Sequence, residues 1–310
     1  MNFKSIKKMM HKCVTMPGRI PMNIMYYSCM WLNKRISDKS YLKFVYWVQF
    51  RKKLNIDNPK TFNEKLNWIK LYDRNPMYTK LVDKYSVREY IGRVLGEEYC
   101  VPLIGVYDSF DEINFDALPN QFVIKTNHDS AGYVICRDKS KFDIDAARKK
   151  INKHIKRNYY WMGREWPYKD VVPKVIIEKY MQNGTDRDLN DWKFYCTNGE
   201  PFLFYTTFER SSENGLSMNY YSMDGERIPV RHCNYPNYHG DLKLPANFEH
   251  MIEITKVLSK GIPFVRVDLY EINGQVYFGE MTFFPGNGIE GVQPESYDDL
   301  WGSYIKLPHQ

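Results

Sequence analysis

Two carboxylates and a guanidinium lie close together in the C-terminal part of the sequence. Arg266 and Asp268 belong to the apolar run FVRVDLYEI, and Glu280 belongs to the following run, QVYFGEMTFF. The Asn273-Gly274 pair between them is typical of a tight turn joining antiparallel strands. Oxygen ligands without a nearby His or Cys cluster suit Mg²⁺, and a guanidinium suits phosphate or carboxylate oxygens. The hairpin therefore predicts a site for a metal ion and a phosphate group.

The length of the connecting loop decides which of these side chains share a face, because side chains alternate along a strand. A three-residue loop over 272–274 would put Glu280 opposite Arg266 and diagonal to Asp268, so that all three line one cleft with Phe278. A two-residue turn on the Asn-Gly pair would put the two carboxylates on opposite faces. We predict the three-residue loop. The alternative interpretation is a surface salt bridge on an ordinary hairpin.

Composition indicates a globular, cytoplasmic protein. The chain has 310 residues, of which 43% are hydrophobic, so it can bury a core in one large or two to three small domains. Its six cysteines form no CxxC pair, which argues against a disulfide framework or a structural zinc site. No apolar run approaches the roughly 18 residues of a membrane helix, and prolines interrupt the region where a signal peptide would lie.

The charge of the chain is concentrated at its beginning. Residues 1–55 contain twelve Lys or Arg and a single acid, Asp38, which gives this segment a net charge of +11 and leaves −4 for the rest. One helical face near the start carries Phe3, Ile6, Met10 and Cys13 among lysines, a pattern that favours an anionic membrane surface. Nucleic acid is the weaker alternative, and we expect no nucleic-acid partner. The other interpretation is that 41–50 is a helix packed on the protein with its charges solvated.

Helix and strand patterns set the frame for the hairpin. Residues 40–95 read as helices, with a capping box formed by Thr61 and Glu64. Strands are predicted at LIGVYDSF, QFVIK, YVIC and VPKVIIEKYM, and a second hairpin turns at Asn198-Gly199. Helices are predicted over 143–158 and 246–260.

Three further elements carry groups that could bind ATP. Lys84 is predicted on a helix, Lys125 ends a strand before the loop TNHDSAG, and Glu178 ends another strand. The lysines can supply positive charge to phosphates, and the small residues of the loop let backbone N–H groups approach anionic oxygens. The main chain after Glu178 can hydrogen-bond an adenine edge. The sequence has neither a GxxxxGK[ST] nor a GxGxxG motif, so the order of these elements carries the prediction.

In these elements the sequence resembles the ATP-grasp superfamily, and more closely its teichuronopeptide-biosynthesis-like (TupA-like) branch. The resemblance extends from about Tyr41 to Gly291 and rests on NPKTFNEKLNWIKLYDRNP, DKYSVREYI, FVIKTNHDSAG, REWPYK, VIIEKYM, DWKFYCTNGEP and FVRVDLYEINGQVYFGEMTFFPGNG. It implies an α+β ATP-grasp fold, in which two α+β subdomains clamp ATP, with a basic helical N-terminal extension. The implied divisions are a basic segment (1–55), a helical subdomain (56–118), a lid subdomain (119–181) and a C-terminal core subdomain (182–310).

The resemblance also implies roles for individual residues, with ATP and Mg²⁺ as cofactors. ATP contacts are implied or assigned on this basis at Lys84, Lys125, His128, Ser130, Gly132, Glu178, Lys179, Met181 and Asp186. Metal ligands are implied at Asp268 and Glu280, with Thr282 where many ATP-grasp enzymes have an Asn. Lys193 is positioned to reach the γ-phosphate, Arg266 resembles the arginine that stabilises an acyl phosphate, and Arg210 suits an anionic acceptor. Two departures from the family pattern are expected: the residues before Lys84 read as helical and not as the usual Rossmann-like domain, and the loop TNHDSAG has a single glycine.

The function that the resemblance implies is an ATP-dependent carboxylate–amine ligase. Its substrates would be a uronic acid of a bacterial surface polysaccharide or its precursor, free or lipid-linked, and an amino acid or amine. The enzyme would be cytoplasmic, with a peripheral position on the membrane's inner face. One alternative is a metal-dependent glycosyltransferase, with Asp186-Arg187-Asp188 as its DxD motif. An ATP-grasp sugar kinase and a non-catalytic interaction protein are the others.

Overall fold

The computed structural model describes residues 34–184, 189–209 and 215–308, and these form eight α-helices and eleven β-strands. The helices are α1 (Asp38–Phe50), α2 (Phe62–Tyr72), α3 (Met77–Val82), α4 (Val87–Val94), α5 (Ile144–Ile155), α6 (Tyr160–Gly163), α7 (Phe248–Ser259) and α8 (Ser296–Tyr304). The strands are β1 (Leu103–Tyr107), β2 (Phe122–Thr126), β3 (Tyr133–Cys136), β4 (Val175–Lys179), β5 (Trp192–Thr197), β6 (Glu200–Phe208), β7 (Ser217–Tyr221), β8 (Arg231–His232), β9 (Val265–Ile272), β10 (Gln275–Thr282) and β11 (Val292–Gln293).

Two antiparallel sheets form the body of the protein. A four-stranded sheet has the order β1-β4-β2-β3, and a five-stranded sheet has the order β10-β9-β5-β6-β7. Helices pack on both sheets, so the predicted α+β class is confirmed. Because β1 pairs with β4, the boundary that the sequence suggests at residue 118 separates β1 from the sheet to which it belongs.

Separate apolar clusters hold the two sheets. In the smaller cluster, Ala147 and Ile151 of α5 pack against Phe122 and Ile124 of β2. In the larger cluster, Phe248 of α7 packs against one face of the five-stranded sheet through Trp192, Phe194 and Phe204. The opposite face is covered in part by α2 and α8, whose Phe62 and Trp301 both contact the ring of Tyr195. The uncovered part of this face is available for polar chemistry.

The helix α1 packs on the protein rather than standing alone. It buries Tyr41, Leu42, Val45, Tyr46 and Val48 against Leu54, Ile56 and Ile289, so the helix predicted over 41–50 is present and packed on the protein. The predicted apolar face near the start of the chain lies outside the described residues. In the part of the chain that the structure describes, no helix is long and apolar enough to cross a membrane.

In the hairpin of β9 and β10 the carboxylates share a face as predicted, but the turn and the strand register differ from the prediction. Gln275 pairs with Ile272, so the turn has two residues, Asn273 and Gly274, and the predicted three-residue loop is wrong. A β-bulge between Phe278 and Glu280 then adds one residue, Gly279, to β10. This extra residue restores the register so that Glu280 pairs directly with Asp268, while Thr282 and not Glu280 pairs with Arg266. The carboxylates therefore share a face, as predicted.

The bulge requires a glycine because the chain passes very close to β9. A Cβ at Gly279 would lie 2.9 Å from the carbonyl oxygen of Asp268 and 2.7 Å from the ring of Tyr270. Contacts this short force backbone to move, and the pairing of Glu280 with Asp268 depends on that backbone.

We expect Gly279→Ala to lower the free energy of unfolding by about 1–3 kcal/mol, the usual effect of overpacking. The matched control is Gly274→Asn in the same hairpin. Gly274 has a φ of +78° and an added Cβ would meet nothing within 4 Å, and Asn tolerates this left-handed backbone, so the control should cost less than about 1 kcal/mol. Urea denaturation measures both. Equal stability of Gly279→Ala and the wild type would contradict the close approach.

Candidate active site

A cavity of about 460 Å³ lies between the four-stranded and five-stranded sheets. The four-stranded sheet contributes Lys125 and Glu178 to its wall, and the five-stranded sheet contributes Lys193, Asp268 and Glu280. Residues that are far apart in sequence thus line one cavity, and they belong to the elements whose motifs predict ATP contacts. The cavity is the candidate nucleotide site.

A row of polar side chains crosses the five-stranded sheet beside this cavity. Strand pairing aligns Tyr205 of β6 with Lys193 of β5, Lys193 with Asp268 of β9, and Asp268 with Glu280 of β10. Because paired residues in adjacent strands point to the same face, the four side chains form a line that runs from a phenol through a lysine to two adjacent carboxylates. Arg266 lies two residues before Asp268 on β9, and its side chain is therefore on the same face.

Ion pairs join this row into one network. Arg266 donates from Nε to Oδ1 of Asp268 (2.6 Å) and from Nη2 to Oδ2 of Asp268 (2.7 Å) and Oε1 of Glu280 (2.7 Å). Its Nη1 donates to the hydroxyl of Tyr205 at 3.1 Å. Lys193 also contacts the Asp268 carboxylate. Asp268 is 1% exposed, so these two cations supply the compensation that a buried carboxylate needs.

Two more charges extend the network on either side. Lys193 Nζ lies 3.3 Å from Oδ2 of Asp191, and Lys84 Nζ lies 4.0 Å from Oε2 of Glu280. Burial acts to raise the pKa of Glu280, but Lys84, Arg266 and Lys193 outweigh it and lower that pKa to about 2. Burial acts to lower the pKa of Lys193, but Asp268 and Asp191 outweigh it and raise that pKa. Both groups are therefore fully charged at neutral pH.

The other end of the cavity combines a charged pair with apolar side chains. Lys125 Nζ donates to Oε2 of Glu178 at 2.5 Å, and Arg88 lies 3.8 Å from Oε1 of the same carboxylate. Lys179 and Met181, predicted at the adenine-binding hinge, follow Glu178 along the wall. The apolar part of the wall can accept a flat ring, and consists of Val123, Ile135, Met181, Ile272 and Phe278.

The loop TNHDSAG borders the cavity through its last residues. Ser130, Ala131 and Gly132 line the cavity, and Ala131 has a left-handed φ of 64°. Lys84 donates from Nζ to the carbonyl oxygen of Asp129 at 3.0 Å. Lys84 itself lies in the turn between α3 and α4, so the predicted helical position for it is wrong. Its position in a turn lets it join the loop to Glu280.

Side chains beneath the loop hold its shape. Asn127 is fully buried and accepts from the backbone N–H of Lys174 (2.7 Å), while donating to Oδ1 of Asp83 (2.8 Å) and the carbonyl of Val172 (3.0 Å). Asp129 contacts His154 through its carboxylate. These contacts fix the backbone of the loop.

His128 belongs to this supporting set, not to the cavity wall. It is 2% exposed, its Nε2 donates to the carbonyl of Arg157 at 2.9 Å, and its Nδ1 lies 3.2 Å from Oδ1 of Asn127. Burial lowers the pKa of this imidazole. We therefore correct the expectation that the His128 side chain contacts ATP, because its ring faces the protein interior.

The remaining predicted site residues are Thr282, Asp186 and Arg210. Thr282 donates from Oγ1 to Oε1 of Glu280 at 3.2 Å, which places its hydroxyl next to a candidate metal ligand. Asp186 and Arg210 lie outside the described residues. The sequence reasoning missed Asp191, Arg88 and Tyr205. Asp191 and Arg88 carried a signal, because Asp191 is two residues before Lys193 and Arg88 is four after Lys84. Tyr205 carried none, because it pairs with Lys193 only through a register shift between Tyr195 and Cys196.

The donor set fits Mg²⁺ bound together with phosphate. Among the described residues no cluster of three His, Cys, Asp or Glu side chains is assembled for a metal. Mg²⁺ needs no such cluster when it is held by one or two carboxylates with phosphate oxygens and water completing its shell. Asp268 and Glu280, adjacent across two strands, are carboxylates of this kind.

Comparisons with known proteins point to one family. A family model described as TupA-like ATPgrasp matches residues 64–306. No curated protein matches the sequence. Similar solved structures include a D-alanine–D-alanine ligase from Helicobacter pylori, which is 12% identical with a TM-score of 0.45 over 80% of this chain and 69% of that one. Another is ATP-grasp ligase PsnB bound to a precursor variant, Mg and ADP, 9% identical with a TM-score of 0.41 over 79% of this chain and 66% of that one. A D-alanine–D-alanine ligase from Bacillus anthracis complexed with ATP is 18% identical with a TM-score of 0.39, over 67% and 57% of the chains.

We expect Asn127→Ala to lower the free energy of unfolding by about 1–3 kcal/mol, because it leaves buried hydrogen-bonding partners of the Asn127 side chain unsatisfied. The exposed Asn114→Ala, whose side chain accepts only a local bond from Asp116 N–H, is the matched control and should cost less. Urea denaturation compares the two. Equal losses would show that Asn127 does not anchor the loop.

Proposed function

Because this chain belongs to the TupA-like ATP-grasp family, we propose that it is an ATP-dependent carboxylate–amine ligase. The family match confirms the resemblance found in the sequence and, with it, the ATP-grasp fold. The observation that carries the proposal is the row of Lys193, Asp268 and Glu280, crossed by Arg266, beside a cavity whose wall includes three more lysines.

In the proposed reaction the chain binds and orients MgATP. Lys125 and Lys84 supply positive charge to the phosphates, and the backbone of Ser130–Gly132 lies along them. Mg²⁺, held by Asp268 and Glu280, would neutralise phosphate charge when bound. Arg266 is rigidly oriented by three acceptors, so its guanidinium is ready to stabilise charge on the acyl phosphate formed from the carboxylate substrate. Lys193 supports the same charge from the neighbouring strand.

The proposed substrates follow the resemblance. The carboxylate is a uronic acid of a bacterial surface polysaccharide or its precursor, and the amine belongs to an amino acid or simple amine. An amide forms when the amine replaces phosphate at the activated carboxyl carbon. What supports a ligase over simple ATP binding is the convergence of Arg266 and both carboxylates at the cavity end, where an acyl group would be activated.

We expect MgATP to stabilise the protein by mass action, by about 2.7 kcal/mol at a ligand concentration of 100 times Kd. Thermal unfolding should show this shift, EDTA should remove most of it, and Lys125→Ala should weaken it because a phosphate contact is lost. Lys141→Ala is the control, since the Lys141 side chain is 83% exposed and pairs only with Asp138.

Other ligands separate the alternatives in the same assay. Stabilisation by UDP-sugars but not by MgATP would contradict the ligase proposal and favour a glycosyltransferase. ADP release that requires a sugar but neither a carboxylate nor an amine would favour a sugar kinase.

We also propose that the outer face of α1 binds an anionic membrane surface. Phe44 and Trp47 are 45% and 48% exposed there, and the guanidinium of Arg51 lies 4.8 Å from the Trp47 ring centroid. Lys39 and Lys43 are exposed on the same helix. Aromatic side chains with basic neighbours suit the interface of a bilayer containing anionic lipid.

Replacing both Phe44 and Trp47 by Ser should reduce binding to phosphatidylserine-containing vesicles about tenfold or more, because two half-exposed aromatics no longer enter the interface. Co-sedimentation measures the bound fraction, and Leu300→Ser, which removes an exposed apolar side chain from α8, is the control. Unchanged binding by the double variant, or equal binding to vesicles of phosphatidylcholine alone, would reject this surface.

A further inference from the structure

A surface pocket of about 420 Å³ lies beside the small sheet formed by β8 and β11. We call it the basic pocket. Its wall combines two guanidinium groups, two side-chain amides and two apolar side chains, which belong to Arg227, Arg231, Asn237, Gln293, Pro229 and Val230. None of these residues lines the nucleotide cavity. The binding of MgATP therefore does not account for the basic pocket.

The two arginines of the basic pocket carry uncompensated positive charge. Both side chains are exposed, and among the residues that the structure describes neither Arg227 nor Arg231 forms a salt bridge with a carboxylate. Lys193 and Arg266 of the nucleotide site, in contrast, are both paired with acids. A guanidinium presents a planar set of donors that matches a carboxylate. Arg227 and Arg231 therefore suit an anionic group that the chain itself does not supply.

Strand pairing places Arg231 and Gln293 side by side. The two residues are partners across β8 and β11, so their side chains share one face of the small sheet. Nη2 of Arg231 donates to Oε1 of Gln293 at 3.3 Å. This contact orients the guanidinium, and it leaves Nε2 of Gln293 able to donate to a ligand.

The amide of Asn237 supplies the complementary group. Its Nδ2 donates to Oδ1 of the buried Asn219 at 2.9 Å and to the carbonyl of Val230 at 3.1 Å, so its own Oδ1 is left as an acceptor. A sugar hydroxyl both donates and accepts hydrogen bonds, which matches an amide donor and an amide acceptor in one wall. The exposed Pro229 adds an apolar surface for the C–H face of a sugar ring. The wall thus suits a sugar that carries a negative charge.

The other face of the small sheet connects the basic pocket to the ligase site. His232 alternates with Arg231 along β8, and its Nε2 donates to Oε1 of Glu290 at 2.7 Å. Oε2 of Glu290 accepts from the hydroxyl of Tyr195 at 2.8 Å. Tyr195 is the strand partner of Arg266 across β5 and β9. The basic pocket and Arg266 therefore lie on the same side of the five-stranded sheet, joined by a chain of direct contacts.

We propose that the basic pocket binds a second uronic acid unit of the glycan substrate, one whose carboxylate is not activated. The inference rests on the ligase function proposed above, and it makes a chain of sugars, not a free sugar acid, the preferred substrate. Arg227 and Arg231 hold the carboxylate, and Asn237 and Gln293 bind hydroxyl groups of the same sugar.

Occupation of two sites by one glycan explains why a pocket outside the nucleotide cavity serves the reaction. Once one unit is bound in the basic pocket, another unit of the same chain reaches Arg266 at a high effective concentration. The phosphate of a nucleotide-sugar carrier has the same sign of charge as a uronate. The amides and Pro229 favour a sugar unit over a phosphate, and the experiment below includes both.

Calorimetric titration of the full chain with uronate oligomers tests the basic pocket directly. The probes are trigalacturonic acid and a hyaluronan tetrasaccharide, with neutral maltotriose for comparison. We expect Arg227→Gln combined with Arg231→Gln to weaken binding of the oligomers about tenfold or more, because hydrogen bonds from charged donors are lost. Arg148→Gln combined with Lys149→Gln removes the same charge from exposed positions of α5 and should bind the oligomers like the wild type.

Turnover gives a second readout. ADP release is measured with MgATP, glycine and either galacturonic acid or trigalacturonic acid. The wild type should have a higher kcat/KM for the trimer than for the monomer. In the variant with Arg227→Gln and Arg231→Gln this ratio should fall about tenfold, mainly through a higher KM for the trimer, because the second unit is no longer held. Thermal stabilisation by MgATP shows that the variant is folded.

Several results would overturn the inference. They are a wild type that binds neither oligomer, a pocket variant that binds the oligomers as tightly as the wild type, and an equal loss of affinity in the α5 control. A loss of affinity confined to UDP-glucuronic acid would assign the pocket to a carrier phosphate and would overturn the inference as well.

The two readouts separate the failure of this inference from that of the proposed function. If oligomer binding depends on Arg227 and Arg231 but no sugar acid supports ADP release, the ligase proposal fails and the glycan site stands. If sugar acids support ADP release and the pocket variant leaves the trimer-to-monomer ratio unchanged, the ligase proposal stands and the second uronate site fails.

Discussion

The buried carboxylate of Asp268 organises the charges of the candidate site. An isolated charge at 1% exposure would cost several kcal/mol, so the fold must bring cations to it. Arg266 does so from the same strand, and Lys193 from the neighbouring strand. Arg266 also pairs with Glu280, and Lys193 also pairs with Asp191. Lys84, which lies in a turn outside the sheet, pairs with Glu280 as well. Three cations and three anions thus hold one another in place before any ligand binds.

The ion-pair network fixes the orientation of the Arg266 guanidinium. A guanidinium held by Asp268, Glu280 and Tyr205 has few alternative orientations, so little reorganisation is needed when negative charge develops beside it. Glu280 is likewise held at the cavity wall in the charged form, since Lys84, Arg266 and Lys193 lower its pKa to about 2.

Two backbone segments of this protein are held in place by buried side chains. The loop 126–132 has one glycine and depends on Asn127, His128 and Asp129, whose side chains bind backbone and side-chain groups beneath it. The segment 159–168 depends in the same way on Lys70, a buried lysine that donates to two carbonyl groups. In both places, buried side chains fix the backbone that borders the site.

The sequence alone determined the residue types of the site, the strands that carry them and the family, because alternating apolar runs, Asn-Gly turns and motif order are local properties. It also predicted that Asp268 and Glu280 share a face, but for the wrong reason. The two-residue turn would have separated them, and the bulge at Gly279 brought them together. An inserted residue leaves no mark in the alternation pattern, so only the paired strand reveals it. The inward position of His128 and the turn position of Lys84 were likewise decided by the tertiary structure, because each depends on partners distant in sequence. His128 depends on Arg157, and Lys84 depends on Asp129 and Glu280.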